Sequence, residues 1–497
     1  MLRMGRIDLP VAYPRTDLAS LIHTDHQRFW ITGRLLLLEH TWCLLQDVVD
    51  VVDTSPCLPV QCLLPYTSDR LQRGSIMHAH ALHTWVARRI SVSKRLTHAC
   101  VSYLLFLMVV SRQHSLEEAA RFSGLNKSPF SKLLKHHPDV ALSTLQTLSK
   151  KQAKHVSKAL HYLAQNGLPW KIAILIDSTI QHRASVHPEN AKTFNHGKGF
   201  VIGHQWTNIV LLLHDSLIPL PPIPFYSKRY CQKNNMQYQT EHELVIDSIE
   251  QLCLEDYIGA HDPHDVVVLA DSGYDDKKIE MAIVNKHWNF IISLCKNRSV
   301  KSEKVDMTTP KSRAWCHIGT FFRNHRRLKW QTVRFMTNGA KRKRMECRLR
   351  HTMGYLRYVG KVRLLCSEVK KRPDGRRKYL ACNDGKATAR QIVMGYRLRW
   401  KIELFHKDTK MHLGFEDVAT TGFTSVASHV HWVYCAYLLL HMSPPGVPQD
   451  VKSVGERQRK IQELLAHKEK RRVLQQLTQI HGVERYKNEL RQALVGT

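Results

Sequence analysis

The sequence predicts an α/β protein: a mixed sheet flanked by helices, interrupted by a β-rich insertion and preceded by a helical region. Three observations predict it. Between residues 170 and 295, short apolar, β-branched runs alternate with amphipathic helical stretches, the pattern of buried strands linked by helices. Residues 300–385 break that alternation with strand-like segments and turn signals before helical periodicity resumes. Residues 96–165 carry helical periodicity alone.

Residues 1–95 mix apolar helical runs, such as 30–45, with breaks at Pro56, Pro59 and Pro65, and form a leader with no readable fold. In the helical region, 96–165, residues 116–134 read LEEAARFSGLNKSPFSKLL, the outline of a helix-turn-helix. Ala120 is small where two helices cross, Gly124 falls where the chain turns, and Leu125, Phe130 and Leu133 supply a shared core. Ser128 before Pro129 reads as the N-cap and first-turn pair of the second helix. That helix turns Ser131, Lys132, Lys135 and His136 outward, either into a DNA major groove or simply to solvent in an ordinary helical hairpin.

The first part of the α/β core spans 166–299. Residues 172–176 form a strand ending in Asp177, and 200–206 and 208–214 form two more. Residues 239–253 fit a helix, 265–270 a buried strand ending in Asp271, 275–285 a helix and 289–294 a strand. The basic β-rich insertion, 300–385, has strands at 328–336, 345–350, 361–369 and 378–382, with turn signals at 338–339 and 373–375. Residues 387–413 read as one long helix within the last part of the core, 386–445. After Pro444, Pro445 and Pro448, residues 446–497 form a basic helical tail. Its apolar positions, Ile461, Leu464, Leu465, Leu474, Leu477 and Ile480, face either a partner or the protein's own body.

The chain has 497 residues, enough for about three domains. Its 74 Lys and Arg outnumber 42 Asp and Glu, a net charge of +32. Such a chain repels itself unless it shares its space with a polyanion. Residues 311–380 hold 22 Lys or Arg against three acids, Glu346, Glu368 and Asp374. More than half of the excess therefore sits on the β-rich block, as on a surface that tracks phosphates. A membrane partner finds no support: the apolar stretches 101–110 and 434–440 are shorter than the ~18–20 residues of a span. The N-terminus lacks the apolar core of a signal peptide, so a cytoplasmic protein is expected. The twelve cysteines contain no CxxC pair and read as reduced thiols. His78, His80 and His83 cluster without matching cysteines and read as no metal site.

Two acids stand at the ends of apolar strands, Asp177 in IDST and Asp271 in LADSGYDD. Each could merely cap a turn. Together, on adjacent strands, they would repel and desolvate badly unless a cation sat between them, and hard divalent ions such as Mg²⁺ suit oxygen ligands. A third acid lies in YRLRWKIELFHKDTK. At about 100° per residue, Tyr396, Arg399, Glu403 and Lys410 share one face of a continuous helix. An i,i+4 ion-pair stripe is the plain reading of that face. The other flank, Trp400, Ile402, Leu404, Phe405, Leu413 and Phe415, is apolar and expected to be buried, and a charged stripe kept on a buried helix suggests a site.

This constellation resembles the bacterial DDE transposases of the insertion-sequence-four type. Two strand-ending Asp residues are followed by a helix bearing Y-(2)-R-(3)-E-(6)-K, here Tyr396, Arg399, Glu403 and Lys410. The β-rich block lies between the second Asp and the Glu, where that family carries its insertion. The resemblance covers residues 95–445. It implies a ribonuclease-H-like core in which Asp177, Asp271 and Glu403 hold two Mg²⁺ ions, with Mn²⁺ able to substitute. It also implies that Tyr396, Arg399 and Lys410 grip phosphates of the transferred end. The implied chemistry is hydrolysis at the element's ends, then strand transfer by the freed 3′-OH, in a cut-and-paste route that includes a hairpin in related enzymes. The implied partners are terminal inverted repeats, target DNA and a second protomer on DNA, in a nucleoid-associated bacterial protein.

A base flipped from the distorted end would stack on an aromatic of the insertion, Trp315 or, in the basic RRLKWQ strand, Trp330; either could equally be core. Lys296 and Arg298, just after the strand at 289–294, either touch phosphate near the site or belong to a solvated loop. The competing function is a catalytically inactive sequence-specific DNA-binding protein, a regulator or a transposase relic. A nuclease without strand transfer is disfavoured by the Tyr396–Arg399–Glu403–Lys410 face.

Overall fold

The computed structural model describes residues 79–159, 166–183, 188–195, 199–303, 315–325, 328–336, 344–369, 377–418 and 420–466. The leader up to residue 78, the turn signals at 338–339 and 373–375, and the tail beyond 466 lie outside the described residues.

Helices open the described chain: α1 Ala79–Ala87, α2 Lys94–Val109, α3 Leu116–Ser123, α4 Ser128–His136 and α5 Pro138–Val156. Ser115 caps α3 by accepting from the Glu118 amide, and Gly124 ends it at φ +69°, the left-handed turn that glycine adopts without penalty. Ser128 is not the cap of α4. It already lies inside the helix, and Asn126 Oδ1 accepts its amide at 3.1 Å; an Asx side chain two residues ahead supplies the partner. Phe130 and Leu133 are buried, while Ser131, Lys132, Lys135 and His136 are exposed.

Strands β1 Ile172–His182, β2 Lys192–Asn195, β3 Phe200–Leu213, β4 Ser216–Pro219 and β5 Ile223–Pro224 follow. Then come α6 Lys228–Lys233, α7 Glu241–Gln251, α8 Glu255–Ile258, β6 Val266–Ala270, α9 Lys277–Asn285 and β7 Asn289–Leu294. The basic block contributes β8 Ser299–Ser302, β9 Trp315–His317, α10 Ile318–Asn324, β10 Gln331–Met336, β11 Arg344–Leu356, β12 Gly360–Val369 and β13 Lys378–Cys382. The chain continues through α11 Ala389–Arg397, α12 Trp400–His412 and α13 Phe423–His441.

All the strands form one mixed sheet in the order β2-β3-β1-β6-β7-β13-β12-β11-β8-β9, with β10 beside β11 and with β4 and β5 beside β3. The strands β1, β6 and β7 run parallel. Every residue of β6 and β7 is buried, as are Ile172–Ile176, which is why these segments read as unbroken apolar runs. The two strands expected in 200–214 are one, β3 Phe200–Leu213: β-branched Thr207 carries the ladder through opposite Ser178. That long partner also draws β1 past Asp177 to His182, which pairs with Gly203. Asp177 therefore lies within β1 and not at its end. On the far side of β7, β13 pairs antiparallel with it from Tyr379↔Leu294 to Cys382↔Ile291, so the basic strands extend the same sheet.

The long helix expected at 387–413 breaks in two. The amides of Leu398 and Arg399 bond three residues back, to Gly395 O and Tyr396 O at 2.9 and 3.1 Å, and those of Lys401 and Ile402 do likewise at 2.9 and 3.1 Å. This tightened turn re-aims α12. Before it, Gly395 lets α11 approach β7: a Cβ there would meet the Trp170 ring at 2.9 Å and Ile291 at 3.0 Å. After it, α12 packs on β1 and α13 through buried Ile402 and Phe405. Leu413 and Phe415 are buried as expected, but Trp400 and Leu404 are exposed, as is Met411, because the break points that flank outward.

The N-terminal helices are clasped to this core. His114, nearly inaccessible, joins Asp417 through Nδ1 at 2.9 Å while its Nε2 meets Val110 O at 2.7 Å. Gly414, at φ +69°, lies against the His114 ring, which a Cβ would enter at 2.3 Å. Helix α13 packs against α2, α4 and α5. Among the described residues no helix is long and apolar enough to cross a membrane.

Candidate active site

Strand register brings the first two acids together. In the parallel pair β1·β6, Ile176 lies opposite Ala270, so Asp177 and Asp271 are the next residues along neighbouring strands, whose axes are about 4.8 Å apart. Asp271 caps the short turn Ser272–Tyr274, its Oδ1 accepting from Gly273 N at 2.7 Å. Glu403 arrives from the first turn of α12, the helix lying on β1. Burial raises the Asp177 carboxyl, Arg399 opposes it and Asp271 and Glu403 add to it, and the balance stands at about 6. The three carboxylates thus feel one another.

Arg399, on the turn between α11 and α12, bridges two of them. One guanidinium nitrogen lies 3.5 Å from Asp177 Oδ2 and the other bonds Glu403. Tyr396 is buried on α11. Its hydroxyl has no hydrogen-bond partner, and Lys378 Nζ lies 5.1 Å from its ring centre. Lys410 donates to Ile180 O at 2.5 Å and pairs with Glu416 at 3.0 Å, three residues along β1 from Asp177. The helix break thus leaves Tyr396 on α11 while Glu403 and Lys410 share α12, with Arg399 joining them at the turn.

Behind the acids lie residues that the sequence reading missed. Tyr434 OH donates to Asn208 Oδ1 at 2.6 Å, and Asn208 Nδ2 meets His406 Nε2 at 3.0 Å. His406 Nδ1 lies 3.9 Å from Asp177 Oδ2. Burial, then Lys410 and Arg399, push His406 down to about 3, so its imidazole is neutral. Tyr274 is held by Glu241 Oε1 at 2.8 Å, and Glu241 also accepts from Thr207 and Gln205. Their sequence signals were slight: His406 falls three residues after Glu403 on the same helix, and Tyr274 lies within the LADSGYDD segment.

The other residues singled out in the sequence are dispersed. Arg298 is turned inward, bonded to fully buried Glu280 and 3.4 Å from Asp275, while neighbouring Lys296 is exposed. Lys132 and Lys135 lie on the solvent side of α4. Trp330 is not in a strand; it precedes β10, half-buried, with the guanidinium groups of Arg350, Arg348 and Arg377 at 4.3, 5.1 and 5.8 Å from its ring. Trp315, in β9, is more open and lines a cavity of about 380 Å³ with Tyr355, Tyr358 and Lys301.

Among the described residues no three His, Cys, Asp or Glu side chains close into a ready cage for an ion, and Arg399 stands where two of the acids could converge. The donor set nonetheless fits a hard dication: three mutually repelling carboxylates, and no thiolate among them. A large mixed sheet flanked by helices, with two acids on adjacent strands and a third on a covering helix, is consistent with the class of ribonuclease-H-like DDE enzymes. Residues 171–439, more than half of the chain, match the family model of the transposase DDE domain. The chain belongs to this family of transposases, whose substrate is DNA. No curated protein matches the chain.

Proposed function

We propose that this chain is the transposase of a bacterial insertion sequence of the insertion-sequence-four type. It would hydrolyse the phosphodiester at the element's ends and join the freed 3′-OH to target DNA by cut-and-paste, with a hairpin as the intermediate. The observation that carries the reading is the β1·β6 register that sets Asp177 beside Asp271, with Glu403 delivered from α12. Those three carboxylates would hold two Mg²⁺ or Mn²⁺ ions, which supply Lewis-acid activation of the attacking and leaving oxygens.

The rest of the work belongs to the chain. Arg399 exchanges its carboxylate partners for a phosphate of the transferred end, a charge-assisted bidentate contact. The Tyr396 hydroxyl, unpartnered in this structure, donates to the same backbone. Lys410 adds a point charge beyond Asp177. The arginines around Trp330 track the flanking duplex, and Lys296 adds to that surface. The base-stacking role passes from Trp330, whose ring is taken by Arg350, to Trp315 and its aromatic cavity. Lys132 and Lys135 on α4 read the terminal repeat, a homodimer holds two ends together, and the protein acts at the nucleoid of the bacterial cytoplasm.

End cleavage tests this. Protein is mixed with a labelled duplex carrying the native flanking repeat and Mg²⁺, beside Asp177→Ala, Asp271→Ala and Glu403→Ala. A 3′-OH or hairpin product from the wild type alone supports the reading. Binding without cleavage by every protein, with Mn²⁺ tried too, would leave a DNA-binding relic.

A further inference from the structure

The Tyr434–Asn208–His406 chain ends at a carboxylate oxygen of Asp177. Asn208 lies opposite Asp177 in the β1·β3 ladder, so its side chain is tied to the same strand position. The bond from Tyr434 OH sets the Asn208 amide with Oδ1 toward the phenol and Nδ2 toward the imidazole. His406 Nε2 must then be the acceptor, and a neutral ring carries its proton on Nδ1. The reversed amide would require Nε2–H and would leave a bare Nδ1 lone pair facing the Asp177 carboxylate. Only one arrangement satisfies the phenol, the amide and Nε2 together on a neutral ring, and it is the one that aims Nδ1–H at Asp177 Oδ2. At 3.9 Å this is an approach, not yet a hydrogen bond. The same oxygen is shared with Arg399 at 3.5 Å. Arg399, Glu403 and His406 lie at i, i+4 and i+7, one helix face.

We propose that His406 is a positioning residue for Asp177, whose Nδ1–H takes Oδ2 once Arg399 has turned to phosphate, so that the carboxylate keeps its aim. The inference rests on the active-site reading above. A neutral donor suits this role, because it orients the carboxylate without competing for a cation as a guanidinium does.

The test uses full-length protein saturated with the end duplex, and follows free Mn²⁺ by electron paramagnetic resonance against a DNA-only blank. His406→Gln carries its amide at the Nε2 position and loses the donor toward Asp177; His406→Asn carries it at the Nδ1 position and keeps it. His406→Gln is expected to weaken Mn²⁺ binding about 10- to 100-fold, the usual effect of losing an outer partner of a metal ligand. It should slow nicking by a similar factor at unchanged DNA affinity. His406→Asn is expected to restore both to within about threefold of the wild type, a rescue that a merely space-filling histidine would not show. Tyr434→Phe, which frees the Asn208 amide to turn, is the second variant and weakens Mn²⁺ in the same direction. Wild-type Mn²⁺ affinity in both His406→Gln and Tyr434→Phe overturns the proposal, as does a folded His406→Asn no better than His406→Gln. Asp177→Ala separates the two levels. If it too binds Mn²⁺ like the wild type, the active-site reading falls and the proposal with it. If it alone loses the ion, only the role of His406 falls.

Discussion

Arg399→Gln is the substitution that most directly interrogates the acid cluster. In the DNA-free protein this arginine is the counter-ion of Asp177 and Glu403, with only 12% of its side chain exposed against 18% for Asp177. At 3.5 Å and an effective dielectric near 20, one such attraction is about 5 kcal/mol before desolvation is subtracted. Removing one partner of a largely buried pair costs about 3–5 kcal/mol, since the other charge is left uncompensated. At about 2.1 cal/mol/K per residue, a loss of about 3 kcal/mol lowers the melting temperature by roughly 3 °C in a chain of 497 residues. Differential scanning calorimetry without metal measures it. In an Asp177→Asn/Glu403→Gln background the same change should cost under about 1 kcal/mol, because the charges it answered are gone. Added Mg²⁺ should raise the melting temperature of Arg399→Gln more than that of the wild type, whose site is already neutralised from within. A drop below about 1 °C, or an equal cost in the doubly neutralised background, would refute the counter-ion argument.

Three further outcomes follow from the same geometry. His204, His429, His431 and His441 are held down to about 4 by burial, against about 6.5 in the unfolded chain. Between those values the unfolded state binds the protons, so each histidine withdraws stability as pH falls from 6.5 to 4, by about 3 kcal/mol at most. A melting temperature flat across that window would contradict this. The hydrogen bond from His114 holds Asp417 below the usual carboxylate range. Asp417→Asn should therefore melt lower than the wild type at pH 7, and the two melting curves should converge as acid protonates Asp417. For DNA affinity, Arg350→Ala should flatten the slope of log K against log salt by about 0.9, one phosphate contact. Glu403→Ala should leave that slope unchanged.

The central strands were legible because burial on both faces leaves an unbroken apolar signature, as in Val266–Ala270. What escaped depended on partners. Nothing local at residue 177 says that β1 continues to His182; that length is set by β3 across the ladder. The split of the long helix escaped because residues 398–402 contain no Gly or Pro to signal it, although Gly395, seated against Trp170, lies just before the turn. Asp177, Asp271 and Glu403 could be named from motif and strand position. Asn208 and Tyr434 could not, because Asn208 meets His406 across 198 residues and Tyr434 across 226. Trp330 was judged from its basic neighbours in sequence, whereas Arg348, Arg350 and Arg377 reach it from β11 and from the residue before β13.

The ladder between β7 and β13 has a mechanical meaning. A lobe hung on a linker can swing to meet its substrate; strands sharing a backbone ladder cannot. From β6, which leads into Asp271, the arginine-bearing β11 stands four strands away, an offset of about 19 Å at 4.8 Å per step. The positive strands then act as a gauge block, presenting charge at a set span from the acids. If both halves engaged one duplex, as proposed, the part that yields would be the duplex, at a bending cost on the order of 1–6 kcal/mol that varies with its sequence. An end that bends readily at that span would be favoured over one that does not, even where no side chain touches a base.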